Sequence, residues 1–96
     1  MIKSTPYKTT DYLNTPDDIS AYIEAAMEDG DPVALLTALR NVADVTGGMT
    51  ALSRETKLSR ESLYTSLSNK GNPRLSSLES ILKAFGLQLT VRPISQ

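Results

Sequence analysis

One start signal for a helix occurs twice in the first third of this chain, and it constrains the fold more than any other feature. Thr15-Pro16-Asp17-Asp18 offers a capping hydroxyl, a proline suited to the first helical position and two carboxylates for the positive end of a helix dipole. Behind it, Ile19, Tyr22, Ile23, Ala26 and Met27 recur at the i, i+3, i+4, i+7, i+8 spacing of one apolar stripe, which Gly30 closes. Asp31-Pro32 then repeats the signal. Leu35, Leu36, Leu39, Val42 and Ala43 form the second stripe, and Gly47-Gly48 stops it.

The second half predicts three shorter helices. Met49 to Thr56 carries Leu52 inward, and Ser59 to Asn69 carries Leu63 and Leu67, with only Lys57 and Leu58 between the two segments and Ser59 as the N-cap of the second. Lys70-Gly71-Asn72-Pro73 is a dense turn signal. Ser76-Ser77-Leu78-Glu79 has the form of a capping box, opening a fifth helix with Leu78, Ile81, Leu82 and Phe85 on its core face and Gly86 as its stop. Leu87, Leu89 and Val91 alternate with Gln88, Thr90 and Arg92, which predicts a short C-terminal β-strand closed by Pro93. The expected fold is therefore all-α with five helices, residues 1–14 forming an N-terminal arm (extended around Tyr7 to Leu13) and residues 15–96 a single domain. A chain of 96 residues supplies one hydrophobic core rather than two.

Composition narrows the function. With no histidine and no cysteine, the chain lacks the usual general base, the usual metal ligands, disulfides and any Ser/His or Cys/His nucleophile pair. No catalytic residue, metal or cofactor is expected. The longest aliphatic run, Val33-Ala34-Leu35-Leu36, is far below the roughly 18 residues of a membrane span. Met1 to Thr10 is polar and no apolar stretch follows it, so a secretory signal is not expected and the cytoplasm is the expected compartment.

The net charge of −1 conceals a division. Residues 1–46 carry three bases against eight acids, a net −5, whereas residues 47–96 carry seven bases against three acids, a net +4. Two surfaces with different partners would produce this pattern, and so would chance segregation in a short chain.

Two short helices joined by a three- to four-residue turn, the second polar at its start, describe a helix-turn-helix at about residues 49–69. Its pattern wants a small residue in the first helix, an apolar residue just past the turn and an apolar anchor midway along the second. Ser53, Leu58 and Leu63 occupy those positions. That arrangement leaves Ser59, Arg60, Glu61, Ser62, Tyr64 and Thr65 facing outward, where a major groove receives the N-terminal residues of a recognition helix. Arg60 suits guanine, Ser59 and Thr65 suit phosphate or base, and Glu61 suits cytosine or the orientation of Arg60. Thr50 and Arg54 on the preceding helix, with Lys70, Asn72 and Arg74 in the basic turn, complete the candidate DNA-binding set. The alternative is an ordinary five-helix domain whose polar helix start is simply solvated.

The stretch TALSRETKLSRESLYTSLSNKGNPRLSSLESILKAFGLQLTV resembles the HigA-like antitoxins, the addiction module antidote family of helix-turn-helix proteins. The upstream ISAYIEAAMEDGDPVALLTAL and the opening YKTTDYL are similar to the same family, so the resemblance spans about residues 7 to 92. Its most specific parts are Ser59 to Tyr64, Gly71 to Pro73 and Glu28 to Pro32. The resemblance implies an Xre/Cro-like domain that neutralises a RelE/HigB-like ribonuclease toxin and represses its own operon, as a homodimer on a palindromic DNA operator. Two positions depart from the family: Ser53 stands where alanine is usual, and Lys57 where glycine is usual. A lysine held at positive φ there is strained by ~1 kcal/mol relative to glycine.

RelE-type toxins are basic because they bind RNA, so Asp17, Asp18, Glu24, Glu28 and Asp29 become candidate toxin-binding residues through charge complementarity. Read without the resemblance, the same acids solvate the outer face of the first helix. Two other functional classes stand beside the antitoxin: a stand-alone phage-like transcriptional repressor with no toxin partner, and an interaction module with a degenerate helix-turn-helix. The homodimer is expected to form through the C-terminal half, with the Leu87 to Val91 strand pairing either with its own copy or with the N-terminal arm.

Overall fold

The computed structural model describes residues 13–28 and 30–94. Five α-helices follow in order: α1 (Pro16–Glu28), α2 (Pro32–Val45), α3 (Gly48–Thr56), α4 (Arg60–Ser66) and α5 (Leu75–Ala84). Both proline start signals act as their chemistry requires. The Thr15 hydroxyl accepts the N–H of Asp18 at 3.1 Å, while the Asp18 carboxylate accepts those of Thr15 at 3.3 Å and Asn14 at 3.2 Å. This is a reciprocal cap with aspartate in the usual place of glutamate. Asp31, extended at φ −93 and ψ 113, accepts the N–H of Val33 at 3.0 Å, with Pro32 beginning α2.

α3 is the hub of the packing, lying against α2, α4 and α5, while α1 packs on α2. The centre of the core contains Leu39 and Val42 from α2, Leu63 from α4, Leu67 just beyond it, and Ile81 from α5, all fully buried. Ile19 and Ile23 join from α1, Met49 and Leu52 from α3, and Phe85 from the end of α5. Leu13 is also buried in this core, immediately ahead of α1. Each such aliphatic side chain contributes about 1.5–3 kcal/mol on removal from water. Tyr22 closes the α1–α2 seam, its hydroxyl accepting from the Asn41 side-chain amide at 2.8 Å.

Several expectations need correction. Among the described residues there is no strand: Leu87 packs against the core, but Leu89 and Val91 are 42% and 94% exposed. Alternation alone does not make a strand. A strand exists through a paired neighbour, and among the described residues the backbone groups of 88–92 find none. Met27 is exposed, so the apolar stripe of α1 narrows to Ile19 and Ile23, with the half-buried Tyr22 and Ala26 at its edge. The proposed capping box at Ser76 is also absent. Pro73 and an extended Arg74 (φ −64, ψ 156) carry the chain out of the turn, and α5 begins at once with Leu75. Ser76 then lies inside the first turn, where its helical backbone prevents it from capping. Finally, α4 ends at Ser66 rather than Asn69. The extended stretch expected over Tyr7 to Leu13 falls outside the described residues except for Leu13.

Candidate nucleic-acid interface

The surface begins with the connection between α3 and α4, three residues long. Lys57 caps α3 in the left-handed region (φ 65, ψ 19), donating its N–H to the carbonyl of Ser53 at 2.8 Å. The next peptide groups are held by neighbouring hydroxyls. Ser53 Oγ donates to the carbonyl of Leu58, and Thr56 Oγ1 accepts the N–H of Leu58 at 3.3 Å while donating to Leu52 at 2.7 Å. Ser53 therefore does more than permit close helix packing: its hydroxyl satisfies a carbonyl inside the turn, a bond that an alanine there could not make.

Ser59 then opens α4. Extended at φ −69 and ψ 154, it accepts the N–H of Ser62 at 3.0 Å and donates its own hydroxyl to Ser62 Oγ at 2.9 Å. Such a cap is worth ~1 kcal/mol, which matters for a helix of only seven residues. Leu58 packs at the edge of the core, and Leu63 and Leu67 anchor the helix from one side. The opposite side is open: Ser59, Arg60, Glu61, Ser62, Tyr64 and Thr65 are all exposed. The Arg60 guanidinium lies over the Tyr64 ring, 5.9 Å from its centroid, a cation–π contact that restricts where the guanidinium points.

The remaining candidates, Thr50, Arg54, Lys70, Asn72 and Arg74, are exposed as well. Thr50 and Arg54 lie on α3, four residues apart and thus on one helical face. Lys70, Asn72 and Arg74 lie in the connection from α4 to α5. This connection is tight. The Gly71 N–H donates to the carbonyl of Ser68 at 2.8 Å, and a Cβ at Gly71 would stand 2.0 Å from the carbonyl oxygen of Ser66.

One contributor escaped the sequence reading. Arg40 of α2 donates to the carbonyl of Leu67, the side chain of Asn69 at 3.2 Å and the hydroxyl of Thr37 at 3.3 Å. It places a positive charge at the negative end of α4's dipole and satisfies a carbonyl where the helix ends. From sequence, its only signal was a lone cation on an otherwise acidic and apolar stretch.

A second surface lies at the other end of the helical order. A groove of about 710 Å³ runs between α1 and the segment after α5, lined by Met27, Leu87 and Leu89 and by the acidic Asp17, Glu24 and Glu28. Asp17, Glu24 and Glu28 are exposed, whereas Asp18 is half-buried and engaged as a cap. Glu24 also meets Arg92 at 3.7 Å, an exposed pair that contributes little to stability. Asp29 lies outside the described residues. No helix among the described residues is long and apolar enough to cross a membrane.

The fold and this surface define a protein that is all-helical among its described residues, with a short, firmly anchored helix presenting a polar face. By its sequence the chain belongs to a family described as probable addiction module antidote protein, which matches residues 3–93. A family of antidotes is one of binding proteins rather than enzymes, and an antidote has a toxin for a partner. An uncharacterised protein of Haemophilus influenzae is 28% identical over 86 residues, covering 90% of this chain and 88% of that protein. No solved structure matches the chain.

Proposed function

We propose that this protein is the antitoxin of a type II toxin–antitoxin module, a HigA-like antidote that binds both DNA and a toxin in the cytoplasm. In this reading α3 and α4 form a helix-turn-helix within a single DNA-binding domain spanning residues 15–96. One observation carries it: α4 buries Leu63 completely while exposing every polar side chain of its N-terminal half. The helix is also held at both ends, by Leu58 at the turn and by Arg40 just beyond its last residue. That anchoring fixes the angle at which α4 would enter a major groove.

Arg60 reads a base, and Lys70 and Arg74 meet phosphates. The experiment is selection of an operator from a random-sequence duplex pool, followed by footprinting. Arg60→Ala is expected to weaken the selected site by ~1–3 kcal/mol and to relax preference at one base pair. Lys70→Ala and Arg74→Ala should weaken all sequences alike and flatten the salt dependence. A wild-type footprint from Arg60→Ala would remove α4 from the interface. A homodimer places two such helices about one DNA turn apart, near 34 Å, on a palindrome, and the exposed Val91 and Ile94 supply apolar surface at the C-terminal end for that association.

The toxin, a basic RelE/HigB-like ribonuclease, meets the acidic face of α1. Reversing Asp17, Glu24 and Glu28 together to lysine is expected to slow association with the toxin by 10-fold or more, roughly the scale of electrostatic steering, with operator affinity unchanged. Stopped-flow mixing at low salt measures this. An unchanged association rate would assign these carboxylates to solvation.

A further inference from the structure

Among the described residues, Lys57 is the one non-glycine residue with positive φ, at 65°. An L side chain in that region crowds its Cβ against the following carbonyl, a conformation that glycine adopts freely. The turn does not require the lysine side chain. The N–H groups of Lys57 and Leu58 and the carbonyl of Leu58 are bonded by Ser53 and Thr56, and among the described residues the Lys57 ammonium makes no hydrogen bond or ion pair. The residue is exposed, three positions after Arg54 in the last turn of α3 and three before Arg60 at the start of α4. A strained residue thus adds a third cation to a run that spans the turn leading into the open face of α4.

We propose that Lys57 is a phosphate-binding residue of the DNA interface, and that its strained backbone is maintained for the charge it carries there. The inference rests on the DNA-binding reading above and adds a contact that the recognition helix does not provide. Its partner is the sugar–phosphate backbone, so it acts on every duplex sequence alike.

The test uses the full chain, a random-sequence duplex and two variants that separate charge from strain. Lys57→Gly removes both, and Lys57→Ala removes the charge but keeps a Cβ at positive φ. Fluorescence anisotropy over a salt series gives affinity and salt slope, and thermal unfolding gives Tm. Both variants are expected to bind roughly 5- to 10-fold more weakly at about 0.1 M salt, with the salt slope flatter by about 0.9 for each lysine lost. Lys57→Gly should nevertheless melt roughly 3–6 °C higher than the parent, and Lys57→Ala within about 2 °C of it. A wild-type affinity and slope in Lys57→Ala would overturn the proposal. So would a Lys57→Ala protein that melts well below the parent with its slope intact, because the lysine would then serve the end of α3. Absence of salt-dependent binding by the parent itself would remove the DNA reading, and this inference with it.

Discussion

Replacing Gly71 by alanine is expected to destabilise the protein by about 2–4 kcal/mol and to lower its Tm by roughly 10–25 °C. The cause is steric and specific. A Cβ at this position would lie 2.0 Å from the carbonyl oxygen of Ser66, 2.5 Å from its carbonyl carbon and 2.8 Å from the carbonyl oxygen of Thr65. All three atoms belong to the backbone of α4's last turn, and none can swing aside like the end of a flexible side chain. To relieve the clash, either the turn gives up the bond from Gly71 to Ser68 or α4 shifts off Leu63 and Leu67. Circular dichroism melting of Gly71→Ala checks this, and a Tm within about 2 °C of the parent would show that the segment relaxes freely.

The second large effect is expected at Leu63. It is fully buried in the middle of a seven-residue helix, and a helix that short has no stability of its own in water. Truncation to alanine removes the anchor and leaves a cavity beneath α4, at an expected cost of about 2–5 kcal/mol. The exposed neighbour Thr65 provides the contrast, since Thr65→Ala should change stability by no more than about 0.5 kcal/mol. Chemical denaturation of the two variants separates anchoring from surface. A loss below about 1 kcal/mol at Leu63 would mean that α4 is held chiefly by its ends.

The helices were legible because their termini are written in local chemistry. Thr15, Asp31 and Ser59 each cap the helix that follows, and the spacing of Leu36, Leu39, Val42 and Ala43 reports the buried face of α2 directly. The left-handed backbone at Lys57 was legible through the family resemblance, which implies glycine at that turn position. What escaped depends on tertiary context. The alternation at Leu87 to Val91 looks like a strand, yet pairing is a property of two segments and cannot be read from one. Ser76 and Glu79 fit a capping box, but Pro73 and Arg74 set the point at which the helix begins. Arg40 reaches from α2 to the end of α4, across 27 residues of sequence to Leu67, and no local pattern signals such a bond. In the candidate interface, the outward set on α4 followed from the placement of Leu63. The cation–π contact of Arg60 with Tyr64 and the hydroxyl bonds within the turn needed coordinates.

In the function proposed above, one small protein binds DNA through α4 and a toxin through α1 at the same time. Sedimentation velocity on the protein co-expressed with the gene beside its own, and mixed with a labelled operator duplex, tests this directly. One species is expected, in which antidote, toxin and duplex sediment together, because the two contacts use different helices. A neighbouring product that does not co-sediment, or a duplex left at its free sedimentation rate, would contradict it.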